Sequence, residues 1–192
     1  AQLLELARDP RMEAATSAKD FAPLPEAAAA VDKAARDLRL AFREGAGRFT
    51  SGALKQDERF GAAVATVLER MENLGNLLEF QAERSEGLES CWRRTVEIRE
   101  RLARWRQGNG DDGYVRWVEV FGHTVQFNAT PLSIAEIFRK QLAGNPRAWI
   151  FTSATLSVKG DFGHYCREMG LEAAATACWE SPFDYESQGL LY

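Results

Sequence analysis

The chain has 192 residues, of which 45% are hydrophobic, so it can bury a core as one domain or as two small ones. It contains no run of about 18 apolar residues, which excludes a membrane-spanning helix of the usual kind. The net charge of −4 argues against a generic basic nucleic-acid-binding protein.

The N-terminal third predicts helices separated by proline and glycine signals. Residues 1–18 predict a helix that is interrupted at Asp9-Pro10. Residues 21–25 predict a linker, because two prolines and the restriction on the residues before them oppose helix. The next predicted helix runs from Glu26 to about Glu44, and a polar loop follows around residues 49–52.

Two longer helices are predicted in the middle of the chain. Apolar residues between Phe60 and Leu78 recur with a 3.6-residue period, and those between Leu88 and Trp105 form nearly a heptad seam. The pattern is typical of antiparallel helices packed as a bundle or an arch.

A cluster of turn-forming residues at 107–113 predicts a domain boundary, with a helical domain over 1–113 and a second domain over 114–192. The second domain is predicted to begin with a β-hairpin and to continue as a helix–strand–helix–strand series typical of a partial parallel sheet. The predicted elements are the hairpin strands Tyr114–Val120 and Thr124–Asn128, the helices Ser133–Ala143 and Asp161–Met169, and the strands 148–152 and 187–192. The predicted fold class is therefore mixed, a mainly α-helical arch-like bundle with a hairpin followed by a partial α/β segment.

The most informative segment is AWIFTSATLS, residues 148–157. An apolar run ends there in the small residues Thr152, Ser153, Ala154 and Thr155. The loop that follows a buried strand is where ligands bind in open α/β sheets, and hydroxyl groups can relay hydrogen bonds there. The alternative is that these residues only cap the next turn or helix.

The motifs around this segment occur in a characteristic order. Residues 128–133 read NATPLS, then come TSATL, SPFDY at 181–185 and QGLLY at 188–192. This set resembles the DinG/YoaA branch of the XPD-like superfamily 2 DNA helicases. The resemblance rests on specific motifs over residues 114–192. Over residues 1–113 only the length and the helical character agree with this family.

The resemblance implies roles for two sets of residues. One set is the loop that couples ATP hydrolysis to DNA handling, and the other begins the second motor domain of the helicase. The first comprises Thr152, Ser153, Ala154 and Thr155; the second comprises Ser181, Pro182, Phe183 and Asp184. Residues 1–113 would be the arch-like insertion of the first motor domain.

The cofactors implied by the resemblance are ATP and Mg²⁺, bound by the parent helicase. This sequence has no GxxxxGK[ST] loop and no DEAH-like tetrad, so the catalytic set is incomplete and the chain alone is expected to be inactive. A four-cysteine iron–sulfur cluster often lies upstream in such helicases. Cys91, Cys166 and Cys178 are scattered and form no CxxC pair, so we expect no cluster and no metal site in this chain, and a reducing cytoplasmic location.

The implied partners are single-stranded DNA and the rest of the helicase motor, with no membrane. The segment 84–106 holds seven Arg and four Glu, a composition suited to DNA phosphates. Arg94 and Arg101 are the predicted DNA-binding residues, because no obvious acidic partner directly precedes them. Arg93 and Arg104 are expected to form ion pairs with nearby glutamates.

The competing hypothesis is a non-enzymatic helical protein-interaction module with a small α/β tail. It accounts for the missing phosphate-binding elements without a larger parent. The sequence begins without Met, and it ends in the strand-like run Gly189–Tyr192, which favours a fragment of a larger helicase.

Overall fold

A computed structural model describes residues 2–42, 45–108, 113–145 and 147–179. The chain divides into two compact units, Ala1–Thr130 and Pro131–Tyr192. We call them unit 1 and unit 2.

Unit 1 consists mainly of helices that pack on one another. α1 contacts α2 and α5, and α4 contacts both α2 and α5. The five helices are α1 (Gln2–Ser17), α2 (Pro23–Leu40), α3 (Ser51–Lys55), α4 (Glu58–Glu79) and α5 (Glu86–Gln107), with a 3₁₀ turn at Ala82–Arg84.

The core of unit 1 is formed by the apolar faces of these helices. Each face has the 3.6-residue spacing that the sequence predicts, so burial of these side chains supplies the main stabilising free energy. On these helices, the large apolar side chains that are almost fully buried are Leu6, Leu24, Val31, Leu38, Val64, Val67, Met71, Leu74, Leu78 and Leu88.

Side-chain caps fix where the two longest helices begin. The Asp57 carboxylate accepts hydrogen bonds from the backbone N–H groups of Arg59 and Phe60, at 2.9 and 3.1 Å, and starts α4. The Ser85 hydroxyl accepts from the Leu88 N–H at 3.1 Å and starts α5. Such caps satisfy N–H groups that the helix itself leaves unpaired.

The predicted interruption of the first helix is wrong. α1 continues through Pro10, although proline removes one backbone hydrogen bond inside a helix. Leu6, Ala7 and Ala14 on the same helix are buried, and this packing outweighs the local cost. The predicted linker at 21–25 is shorter than expected, because α2 begins at Pro23 and prolines suit its first turn.

A three-stranded antiparallel sheet packs with the helices in unit 1. Its strands, in spatial order, are β1 (Gly47–Thr50), β2 (Tyr114–Val120) and β3 (Val125–Pro131). β1 was expected to be part of a polar loop. It pairs with β2 with Phe49 opposite Val118, which brings together segments about 70 residues apart.

The predicted hairpin is observed as β2 and β3, and it lies in the helical unit. Val118 and Val120 of β2 are buried in the main core. Phe127 of β3 contacts Trp105 of α5, with ring centroids 4.9 Å apart. The hairpin therefore belongs to the first compact unit, which ends at Thr130, while the predicted domains 1–113 and 114–192 stay a prediction.

Unit 2 contains α6 (Ala135–Gly144) and α7 (Gly163–Met169), which contact each other. Both were predicted, with starts two residues earlier in the chain. α7 ends at Gly170, whose φ of 67° is the left-handed conformation that favours glycine at a helix end.

The strand predicted at 148–152 is absent from the part of unit 2 that the structure describes. A strand needs a hydrogen-bonded neighbour, and none of the described segments forms a ladder with these residues. The parallel sheet remains a prediction, because its other strand, at 187–192, falls outside the described residues.

Candidate functional site

The hydroxyl residues of TSATL form an exposed turn in unit 2. The Ser153 and Thr155 hydroxyl oxygens lie 3.1 Å apart, within hydrogen-bonding distance. The Thr155 N–H also donates to the Ser153 hydroxyl oxygen at 3.2 Å. Ser153 thus organises the turn, and all four residues from Thr152 to Thr155 remain exposed.

Aromatic side chains hold the segment before this turn in place. Phe151 lies 5.6 Å from Phe138 of α6 and 6.5 Å from Tyr165 of α7, measured between ring centroids. The Trp149 and Phe151 rings are nearly parallel, 6.4 Å apart. Such contacts add to the stabilisation from buried area. The turn is therefore attached to both helices through the residue that precedes it.

A second tight turn follows the hydroxyl turn. Val158 and Asp161 exchange two backbone hydrogen bonds of 3.0 Å. Lys159 and Gly160 between them have φ values of 53° and 81°. Positive φ at both central positions is the geometry of a type I′ turn. The Asp161 carboxylate accepts from the Gly163 N–H at 2.8 Å, at the start of α7.

The hydroxyl turn has hydrogen-bonding groups but no acid–base set of its own. Its exposed hydroxyls can accept or donate to a neighbouring loop or an anion. Among the described residues, no three His, Cys, Asp or Glu side chains lie close enough to hold a metal ion. The described residues include no glycine-rich loop with a lysine that could hold the phosphates of ATP, so the binding of ATP and Mg²⁺ elsewhere in the parent stays a prediction.

The predicted motif Ser181, Pro182, Phe183 and Asp184 lies outside the described residues. Its role stays a prediction.

Arg94 and Arg101, predicted to bind DNA because no obvious acidic residue directly precedes them, both have acidic neighbours in the structure. Their binding to DNA stays a prediction. Arg94 donates to Asp9 of α1 at 2.8 Å, a partner 85 residues away that sequence spacing cannot reveal. This hydrogen bond raises the pKa of Arg94 above its usual value. The Arg101 guanidinium lies 3.7 Å from Glu97, one turn earlier in α5.

The expected ion pairs of α5 are confirmed. Arg93 pairs with Glu89, and Arg104 lies 3.5 Å from Glu100. All four side chains are well exposed, so each pair contributes little to stability.

The structure brings Arg101 together with basic residues that the sequence analysis did not select. Arg39 of α2, Arg104 of α5 and Arg116 of β2 line the same groove, which has a volume of about 930 Å³ and lies within unit 1. These residues are up to 77 positions apart in the sequence, so only the fold reveals that they are neighbours. Arg94 does not line this groove.

The three cysteines are free thiols in different surroundings. Cys91 is buried in the helical core, whereas Cys178 is exposed. Burial raises the pKa of the Cys91 thiol to about 11, so it stays protonated and unreactive near neutral pH. Among the helices that the structure describes, none is both long enough and apolar enough to cross a membrane.

Comparison with known proteins identifies helicases as relatives. The chain is 34% identical over 190 residues to the ATP-dependent DNA helicase YoaA of Escherichia coli. It is 32% identical over 197 aligned positions to the helicase of the same name from Haemophilus influenzae. Each alignment includes 99% of the chain. The chain is homologous to a segment of the YoaA helicases.

The YoaA resemblance covers unit 1 as well as unit 2, whereas the sequence motifs alone were specific only after residue 113. The chain spans about 30% of the length of these YoaA proteins. A probable ATP-dependent helicase of Bacillus subtilis, YpvA, is 24% identical over 135 residues. No family profile and no solved structure matches the chain.

Proposed function

We propose that this chain is part of an ATP-dependent DNA helicase that moves along single-stranded DNA during repair or replication stress. The observation that carries the proposal is the alignment of 99% of the chain with proteins named ATP-dependent DNA helicase YoaA, at up to 34% identity. The parent would be the enzyme, and it would act in the cytoplasm.

In this proposal unit 1 is the arch-like insertion of the first motor domain. Thr152, Ser153, Ala154 and Thr155 form the loop that couples ATP hydrolysis to DNA handling. The hydrogen-bonded, exposed hydroxyls of Ser153 and Thr155 support this role, because such a turn can exchange partners with a neighbouring loop as that loop changes state. Ser181, Pro182, Phe183 and Asp184 begin the second motor domain.

ATP and Mg²⁺ would bind to segments of the parent outside this chain. An upstream iron–sulfur cluster in the parent is part of the same proposal. Bound ATP supplies the phosphoryl-transfer free energy, and the residues described in this chain contribute hydrogen bonds and positioning only. The protein partners of this chain are then the rest of the two motor domains.

The proposal is tested by ATP hydrolysis with and without single-stranded DNA. The longer protein that contains the chain is expected to hydrolyse ATP faster when DNA is present. The 192-residue chain alone is expected to show no activity above background, because it has no phosphate-binding loop. ATP hydrolysis by the chain alone would contradict the proposal. A longer protein whose rate of ATP hydrolysis does not change with DNA would also contradict it and would favour an interaction module.

A further inference from the structure

We infer that the groove of unit 1 lined by Arg36, Arg39, Arg101, Arg104 and Arg116 binds single-stranded DNA. We call it the arginine groove. The inference rests on the proposed function and assigns the DNA contact of the helical unit to one surface. All of its lining residues lie within unit 1, between Leu3 and Ala129.

Charge is the first argument. Five guanidinium groups from three different elements line one groove of about 930 Å³, and none of the described residues that line it is acidic. This concentration is local, since the chain as a whole has a net charge of −4. The carboxylates of Asp32, Glu97 and Glu100 lie beside three of these arginines but do not line the groove. Cations that line a cleft attract a polyanion more strongly than the same charges spread over a surface.

Three of the five guanidinium groups are exposed enough to bind phosphate. The side chains of Arg36, Arg101 and Arg104 are 71%, 58% and 67% exposed. Their acidic neighbours, Asp32, Glu97 and Glu100, are each one helical turn away. Exposed pairs of this kind are weak, so a phosphate group can compete with the carboxylate for each arginine.

Aromatic side chains distinguish this groove from a simple basic patch. Tyr114, at the start of β2, is partly exposed and lies under the Arg116 guanidinium, 5.3 Å from its ring centroid. Trp105 and Phe127 also line the groove, but both are partly buried and pack against the core. A partly exposed ring beside a guanidinium group is the kind of surface on which unpaired bases stack.

Two matched pairs of substitutions test the groove in the 192-residue chain. Arg101→Gln with Arg104→Gln removes two groove cations whose ion pairs with described residues are to glutamates one turn away. Arg70→Gln with Arg93→Gln removes two exposed arginines of α4 and α5 that also pair with glutamates but lie outside the groove. Circular dichroism checks that both variants keep their helix content.

Binding is measured by fluorescence anisotropy with a labelled 20-nucleotide oligothymidine over a range of salt concentrations. The groove variant is expected to bind about five-fold more weakly per lost phosphate contact near 0.1 M salt. The salt slope, which is the steepness of the fall of log affinity with log salt concentration, should decrease by about 0.7 per lost contact. The control variant should bind like the unmodified chain. Equal losses in both variants would overturn the inference, as would an unmodified chain that does not bind.

A third variant separates base stacking from charge. Tyr114→Leu is expected to weaken oligothymidine binding by about five-fold or more without changing the salt slope. A labelled polyglutamate of the same charge serves as the probe without bases, and it should bind more weakly than DNA and ignore the Tyr114 substitution. Polyglutamate binding as strong as DNA binding would overturn the inference in favour of an acidic protein partner. None of these outcomes depends on ATP hydrolysis. The DNA-binding inference can therefore fail while the helicase proposal, which is tested by ATP hydrolysis, still holds.

Discussion

At the scale of single residues, the hydroxyl turn and the two helices beside it depend on a few side chains and one glycine. Ser153 organises the turn itself, and Phe151 attaches it to α6 and α7. Gly170 allows the end of α7 to approach α6, because a Cβ atom there would lie 2.8 Å from the Ala135 carbonyl oxygen. The sequence predicted the turn at Gly170 from glycine alone, but it could not show this close approach.

We expect Gly170→Ala to destabilise unit 2 by about 1–2 kcal/mol or more, because a Cβ disfavours the left-handed conformation and would also contact α6. Gly144→Ala in α6 is the matched control, since open space surrounds that position and its φ is not positive. Urea titration followed by hydrogen exchange at the amides of α6 and α7 measures both variants. Equal free energies of unfolding for the two variants would show that the close approach at Gly170 does not contribute to stability.

At the scale of secondary-structure elements, the sequence predicted most accurately the helices with a long apolar period. The observed α4 and α5 include the apolar patterns from Phe60 to Leu78 and from Leu88 to Trp105. Their capping residues, Asp57 and Ser85, are of types that commonly begin helices. β1 was missed because its pairing partner, β2, comes about 70 residues later. A break in α1 was predicted because the sequence shows the free-energy cost of Pro10 in a helix. The burial of the apolar residues of α1, which outweighs this cost, depends on tertiary contacts that the sequence does not show.

The cap of α4 provides a test at this scale. Asp57→Ala is expected to lower the free energy of unfolding by about 1 kcal/mol, because the N–H groups of Arg59 and Phe60 lose their acceptor. Asp57→Ser should lose only a few tenths of that amount (roughly 0.3 kcal/mol), because serine also caps helices. Chemical denaturation measures both. A serine variant as unstable as the alanine variant would attribute the effect to charge and not to capping.

At the scale of the whole molecule, the two units differ in how completely they bury their apolar residues. Unit 1 has a continuous core although it leaves Phe80 81% exposed, whereas the only described apolar residue that unit 2 buries is Ala135, and Ile150 there is 84% exposed. In the proposed helicase, residues 148–152 would form a strand of a parallel motor-domain sheet, and such strands are covered on both faces by other segments. The same reasoning explains why residues 148–152 have strand composition but no ladder.

The candidate site was predictable in part for the same reason. The order of NATPLS, TSATL and SPFDY is a property of the sequence, so the helicase relationship could be inferred without coordinates. The arginine groove could not, because Arg39, Arg101 and Arg116 become neighbours only when α2, α5 and β2 pack together.

The most direct test of the coupling loop is the number of ATP molecules hydrolysed per base pair unwound by the longer protein. Ser153→Ala with Thr155→Ala removes both hydroxyls of the turn, and Ser157→Ala just beyond it is the control. We predict that DNA-stimulated hydrolysis persists while the ratio rises about ten-fold in the double variant, as expected if about 1.4 kcal/mol of coupling is lost. A ratio equal to that of the control would contradict the assignment of Ser153 and Thr155 to the coupling of ATP hydrolysis and DNA movement.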